Sequence, residues 1–284
     1  MKTQGIFILA VALTAAVLGC SNDKSDQEDQ VKLPTLAVET AFWQKYSGAS
    51  SVEWEAAGDF QKAEFEMNAA DYEAWFTISG LWLQAKNSSV YTNLPSSVKD
   101  YVANSINYPP TIWTPRQETE VLERAVYPVF YGVELKNGEN EVEIWCDEEA
   151  FRHVEVIEDY DGKDIPPMIS SFIAGHYPKG WIVEVWKLAN GESIAHMLDA
   201  DKVKQVYFTS AMDWNYTEWP VLPNDLPAAV KEALQGNAYE GFTVKSAMFQ
   251  QHQGKEYYYI VLQQTDLSGP TTSVRIDAQG GIVI

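Results

Sequence analysis

Leu33-Pro34 opens a stretch that runs through Phe42-Trp43 and closes on Tyr46, and the same arrangement recurs three more times. Each copy has an aliphatic residue and a proline, followed about a dozen residues later by a tyrosine. The later copies are Leu94-Pro95 to Tyr108, Ile165-Pro166 to Tyr177 and Leu226-Pro227 to Tyr239. The starts lie 61, 71 and 61 residues apart. A period of this size indicates a supersecondary unit repeated four times.

Each copy changes its hydrophobic period at the tyrosine. Before it, residues such as Leu36, Val38 and Phe42 have the spacing of a short amphipathic helix. After it, segments such as 60–67 alternate between apolar and polar residues, as antiparallel strands do. The sequence therefore predicts an α+β fold. It consists of tandem repeats of a short helix plus a three- to four-stranded antiparallel sheet, with the helices on one sheet face.

Two segments interrupt this pattern. Residues 109–124 begin with two prolines and are predicted to be an irregular insert, which explains the longer middle spacing. Residues 213–224 are predicted to be a loop that holds Trp214, Tyr216 and Trp219.

The charge of the chain is strongly acidic, with 20 basic and 40 acidic residues and a formal net charge of −20. Such a surface repels nucleic-acid phosphates, and the basic residues form no stripe, so the sequence excludes a nucleic-acid partner. A solvated surface outside the cytoplasm is the plain explanation, and an acidic site for a cationic partner is the alternative.

The N-terminus has the features of a lipoprotein leader. Lys2 precedes an apolar run over 6–18 that is too short to span a bilayer. The run ends at Val17-Leu18-Gly19-Cys20, which resembles the lipobox of bacterial lipoproteins. The resemblance implies removal of residues 1–19 and lipidation of Cys20, which attaches the protein to a membrane without a spanning helix.

The rest of the chain is predicted to comprise a tether and two domains. Residues 20–32 are polar and acidic and predict a disordered tether. A repeat of about 60 residues can hardly bury its sheet alone, so pairs of repeats are expected to form domains at 33–160 and 161–284. The acidic tether resembles those that send lipoproteins to the outer surface in some Gram-negative bacteria. We therefore expect an outer-membrane lipoprotein that faces either the periplasm or the outside.

No reactive centre is evident in the sequence. With Cys20 lipidated, Cys146 has no disulfide partner, and its strand neighbours predict a buried structural thiol. The four histidines are scattered without metal-ligand spacing. No nucleophile elbow, phosphate loop or dinucleotide motif occurs. The sequence predicts no enzyme activity, no metal and no cofactor.

Large aromatic residues mark the more polar face of the predicted strands. They are Trp75, Trp145, Trp186 and Tyr258, each beside a glutamate of the same strand parity. On an open sheet they would form a binding face for a protein, peptide or glycan. Alternatively, a neighbouring repeat covers this face and the aromatic residues belong to the core.

The repeated Leu/Ile-Pro, the amphipathic helices, Tyr108-Pro109, Tyr177-Pro178 and Tyr239-Glu240-Gly241 resemble the PepSY-like, β-lactamase-inhibitor-protein-like secreted proteins. The resemblance covers 33–284 and implies a helix-plus-sheet repeat whose concave face can grip another protein. Unlike the inhibitor, this chain lacks a disulfide-forming cysteine pair, and no inhibitory loop can be matched residue by residue.

These observations predict a non-catalytic, lipid-anchored cell-envelope protein that binds a protein or peptide through the aromatic sheet face. Hydrolase inhibition is a function of a few members of the resembled family. A glycan-binding surface lipoprotein is the main alternative, and a hydrolase is the third.

Overall fold

The computed structural model describes residues 33–148, 152–265 and 271–283, and these form one compact unit. The predicted leader, Cys20 and the tether lie outside the described residues. In the described ranges, no helix is both long and apolar enough to cross a membrane.

The described chain contains four α-helices, one after each Leu/Ile-Pro pair. Their bounds are Leu36–Lys45 (α1), Ser96–Ala103 (α2), Pro167–His176 (α3) and Ala228–Leu234 (α4). The fixed φ of proline suits the start of a helix, and Pro95, Pro166 and Pro227 directly precede α2, α3 and α4. In α1, the Thr35 hydroxyl accepts a bond from the Val38 amide instead. The four predicted helices are confirmed.

The described ranges also contain fifteen strands, which form one antiparallel sheet in chain order. The first eight are Ser50–Ala57 (β1), Phe60–Met67 (β2), Ala70–Thr77 (β3), Trp82–Val90 (β4), Thr114–Arg124 (β5), Phe130–Asn137 (β6), Asn140–Asp147 (β7) and His153–Tyr160 (β8). The remainder are Trp181–Leu188 (β9), Ser193–Asp199 (β10), Lys202–Phe208 (β11), Trp214–Pro220 (β12), Phe242–His252 (β13), Lys255–Gln264 (β14) and Thr271–Ile276 (β15).

Two of these strands correct the prediction. β5 occupies most of the segment predicted to be an irregular insert, and β12 occupies the predicted loop. β5 reads as a loop because it holds Pro115, Arg116 and three glutamates, yet it pairs with both β4 and β6. Pairing on both sides gives hydrogen-bond partners to the backbone N–H and C=O groups of β5. This gain outweighs the low strand propensity of its residues. With β5 and β12 included, each of the first three repeats has one helix and four strands.

One face of the sheet, here called the outer face, contacts the helices. Val38 and Phe42 of α1 pack with Ala63, Phe65 and Phe76 of the first repeat. Equivalent clusters join α2 to β6 and β7, α3 to β9–β11, and α4 to β13–β15. Each helix therefore covers the strands of its own repeat.

The opposite face, here called the inner face, is buried by the sheet itself. One inner cluster joins strands of the first and third repeats: Ala57, Phe60, Trp75, Leu83, Leu198 and Val203. A second contains Trp145, Trp186 and Met248, from three different repeats. The rings of Trp145 and Trp186 stack with centroids 4.9 Å apart and planes inclined by 21°. The sheet thus folds over so that residues 33–160, the first half, pack against residues 161–283, the second half.

Gly132 makes room for the central tryptophan. It lies directly across from Trp145 in the β6–β7 pairing. A Cβ atom at this position would come within 2.7 Å of the Trp145 ring. The glycine therefore lets the indole lie against the backbone of the neighbouring strand.

The predicted boundary at 160/161 separates two halves of a single compact unit. β8 ends at Tyr160 and pairs antiparallel with β9, with Tyr160 opposite Val185. The sheet therefore continues across the boundary, and the inner clusters draw residues from both sides of it.

We predict that Trp145→Ala lowers the free energy of unfolding by about 3–5 kcal/mol, because it opens a cavity in the centre of the inner face. Trp43→Ala is the matched control. Since Trp43 is 44% exposed, its truncation should cost below about 1 kcal/mol. Urea unfolding followed by circular dichroism measures both, and equal losses for the two variants would contradict the packing described here.

Candidate binding site at the junction of the two halves

The structure buries the aromatic residues that the sequence predicts to form an exposed face. Trp75, Trp145 and Trp186 are 6%, 0% and 3% exposed, and all three lie on the inner face. Their shared face is confirmed, but the expected exposure is wrong because the other half of the sheet covers them. The alternative that places them in the core is the one observed.

Tyr258 lies on the other side of the sheet. It packs, partly buried, against the cluster around α4, together with Ile260 and Leu262 of the same strand parity. β14 has apolar side chains on both of its faces. The presence of Glu256 on the same face as Tyr258 therefore does not show whether that face of the strand is the outer or the inner one. The expectation that Tyr258 joins the three tryptophans on one face is therefore wrong.

Polar side chains also meet across the two halves. The more buried of the contacts that link them are Lys86–Glu184 at 3.4 Å, Arg124–His196 at 2.9 Å, Tyr127–Gln205 at 3.3 Å and Arg152–Glu218 at 2.6 Å. Buried polar groups are costly unless they are paired, so these contacts favour one particular alignment of the halves.

His196 is held neutral by its surroundings. The side chain is fully enclosed, and Arg124 Nη2 donates to its Nδ1 at 2.9 Å, which requires that nitrogen to be unprotonated. Burial lowers the pKa of His196 well below its usual value, and the charges of Arg124 and Lys86 lower it further. Glu184, opposite His196 in the β9–β10 pairing, is bonded to Lys86.

Glu218 is the centre of a second polar cluster. Its side chain has no exposed surface and accepts bonds from Arg152 at 2.6 Å, Tyr207 at 3.1 Å and Gln250 at 2.7 Å. Burial alone would lower the pKa of Arg152, but the nearby Glu218 carboxylate raises it above its ordinary value. Arg152 therefore stays charged.

A pocket of about 340 Å³ opens beside this pair, where the two halves meet. Tyr127, Asp147, Arg152, Met248 and Val261 are among the residues that line it. Further lining comes from Val126, Pro128, Glu148, Pro220, Val221, Leu222, Pro223, Lys245, Ser246 and Ala247. Charged groups and apolar surface thus occur together in a concave site, as in ligand pockets.

The apolar part of the pocket reaches the solvent. Val126 is 41% exposed and Leu222 is 50% exposed, and three prolines also line the pocket. Such a combination is suited to hold an apolar side chain of a binding partner.

In the described ranges, no group of three or more histidine, cysteine, aspartate or glutamate side chains is placed to hold a metal. Cys146 is fully buried, and burial raises the pKa of its thiol to about 12. The buried structural thiol predicted from the sequence is confirmed. A thiol with this pKa is a poor nucleophile near neutral pH.

Sequence reasoning missed the pocket and its charged pair. Arg152 and Glu218 are 66 residues apart in the chain and belong to different repeats. No local motif links them, because their contact depends on how the halves fold together.

The model of the family described as β-lactamase-inhibitor-like, PepSY-like matches residues 59–153 and 192–283, one segment in each half. The chain belongs to the PepSY-like family. The resemblance noted in the sequence is therefore confirmed, and two matched segments agree with a duplicated architecture. No curated protein is significantly similar to the chain.

Solved structures of Bacteroides proteins are similar to about half of this PepSY-like chain. A BLIP-like protein from Bacteroides fragilis is 21% identical, with 50% of this chain and 99% of that protein covered at a TM-score of 0.39. A DUF2874 family protein from Bacteroides uniformis is 19% identical, with 44% and 91% covered and a TM-score of 0.38. A protein from Bacteroides eggerthii described as periplasmic is 16% identical, with 43% and 88% covered and a TM-score of 0.37.

We predict that His196 makes stability fall with acidification. Its pKa is lowered in the folded state, whereas the unfolded value is about 6.5. Below that pH the unfolded chain binds a proton that the folded chain does not. The free energy of unfolding then falls by up to about 1.4 kcal/mol for each unit by which the pH is lowered.

The His196→Gln variant should lose this contribution, so its unfolding free energy should fall less steeply with acidification than that of the wild type. His176→Gln, at an exposed histidine, is the control and should follow the wild type. Urea unfolding at a series of pH values tests this, and parallel curves for wild type and His196→Gln would refute it.

Proposed function

We propose that this PepSY-like protein is a non-catalytic, lipid-anchored cell-envelope protein that binds a protein or peptide partner. The pocket between the halves carries the proposal, because it combines exposed apolar walls with Arg152, whose charge is already paired with Glu218. The family description as β-lactamase-inhibitor-like supports binding rather than catalysis.

The pocket is suited to receive one large apolar side chain. Arg152 and Glu218 satisfy each other, so a partner need not bring a charge to compensate them. Val126 and Leu222 would gain burial when the pocket is filled. A side chain anchored in a pocket of this kind often provides most of the affinity of an interface.

A hydrolase is a natural first class of partner to test. The family is described as β-lactamase-inhibitor-like, and a BLIP-like protein is among the similar structures. The glycan alternative has less support, since Trp75, Trp145 and Trp186 are buried and present no stacking surface.

The lipobox-like sequence ending at Cys20 supports attachment to the envelope. An acidic tether would separate the folded residues from the membrane surface. The Bacteroides eggerthii protein described as periplasmic is compatible with a periplasmic or surface location at the outer membrane.

The pocket proposal predicts that Val126→Asp/Leu222→Asp weakens partner binding by at least about tenfold, because carboxylates replace the apolar walls. Ile112→Asp is the control, since Ile112 is 57% exposed and does not line the pocket. Cross-linking capture from envelope extracts, followed by mass spectrometry, identifies proteins retained by wild type and Ile112→Asp.

Titration of the purified partner against the three proteins then measures affinity. Equal affinity of the double variant and the wild type would rule out the pocket as the contact site.

A further inference from the structure

The outer edge of β1 has no partner among the described residues. In the later repeats the first strand pairs with the last strand of the preceding repeat: β5 with β4, β9 with β8 and β13 with β12. In the described ranges no repeat precedes β1, and it pairs only with β2. At the other end of the sheet, residues near Ile282 pair with β15, where the Val283 amide donates to the Arg275 carbonyl.

The backbone of β1 is arranged to accept another strand. Ala57 and Phe60 flank the two-residue turn at Gly58-Asp59, so they form a hydrogen-bonded pair. Such pairs alternate along an antiparallel ladder. The N–H and C=O groups of Trp54 and Ala56 therefore point away from β2, towards the open edge.

On the outer face, this edge is bordered by apolar side chains. Val52 and Trp54 are half-buried against the α1 cluster. The Trp54 ring lies 5.2 Å from Phe42, and the Trp43 ring, 44% exposed, lies 5.0 Å from the same phenylalanine. An added strand would place every second side chain on the outer face, beside Trp54.

On the inner face, the same edge is bordered by carboxylates. Glu53, Glu64 and Glu73 lie opposite one another across β1, β2 and β3. Like charges in this arrangement repel one another. Lys62 bonds Glu55 at 2.8 Å and Glu64 at 2.7 Å, and Lys86 of β4 lies opposite Glu73, so two lysines serve the four acidic residues of the group.

The geometry points to β1 as a docking edge for an extended peptide segment that alternates apolar and basic residues. Its main chain pairs with Trp54 and Ala56, its apolar side chains contact Trp54, and its lysines or arginines lie beside Glu53 and Glu55. This is strand addition with side-chain pockets on both faces. It is an acidic site for a cationic partner, and it does not depend on the pocket.

Charge argues against two other occupants. A second copy of β1 would bring Glu53 and Glu55 of two chains together. The segment at 20–32 has four acidic residues, Asp23, Asp26, Glu28 and Asp29, against Lys24 and Lys32, and is also acidic on balance. Neither brings a net positive charge to relieve the repulsion among the β1–β3 carboxylates.

The test uses the full chain and a fluorescent peptide of alternating valine and lysine, about eight residues long, the length of an ordinary strand. Fluorescence anisotropy should show binding that weakens with added salt. A peptide with the same residues in two blocks, and one with glutamate in place of lysine, should bind at least about tenfold more weakly. Equal binding of the block peptide would overturn the proposal.

Two variants locate the binding to the edge. Ala56→Pro removes an outward N–H, and proline is tolerated on edge strands, so this variant should fold and lose at least about tenfold in affinity. Glu53→Gln/Glu55→Gln should weaken binding and reduce its salt dependence, whereas Glu139→Gln/Glu240→Gln, with the same change in net charge, should bind as the wild type does. Full binding by both edge variants would overturn the proposal.

Two further measurements separate this edge from other sites. Leu222→Asp should bind the peptide normally, because Leu222 lines the pocket, and a loss of binding there would assign the peptide to the pocket instead. Sedimentation velocity tests self-association. A wild-type dimer that Ala56→Pro converts to a monomer would show that a second copy occupies β1, against the proposal.

Discussion

The structure depends on burial of the sheet face that carries no helix. In the part of the chain that the structure describes, four short helices pack on the outer face, one for each repeat. An antiparallel sheet with tryptophans on its other face must cover them too, because exposed apolar surface on this scale is unfavourable in water. The chain meets this requirement by folding its two halves onto each other around the stacked rings of Trp145 and Trp186.

The polar contacts between the halves have a different role from the apolar ones. Apolar packing provides much of the free energy of burial but tolerates several alignments. Arg124 against His196 and Arg152 against Glu218 require specific placements, since a misaligned half would leave a buried charge without a partner. The same alignment brings the loops of both halves together and so creates the pocket beside Arg152.

The repeats, helices and most strands could be predicted because they follow from local periodicity. β5 could not, because its polar residues resemble a loop and only its two neighbours make it a strand. The alternation of side chains along each strand correctly placed Trp75, Trp145 and Trp186 on one face of the sheet. This alternation does not show what covers that face. The Arg152–Glu218 pair and the pocket arise from contacts between distant repeats, so no local signal reveals them. The charge alternation of β1 is visible in the sequence, but its position at the edge of the sheet is not.

Hydroxyl-radical footprinting with mass spectrometry tests the central claim most directly, because it measures the solvent exposure of each tryptophan in the folded chain. The account predicts rapid oxidation of Trp43, which is 44% exposed, and strong protection of Trp145 and Trp186, which are 0% and 3% exposed. If Trp145 and Trp186 are oxidised as fast as Trp43 under native conditions, the inner face is open and the account is contradicted.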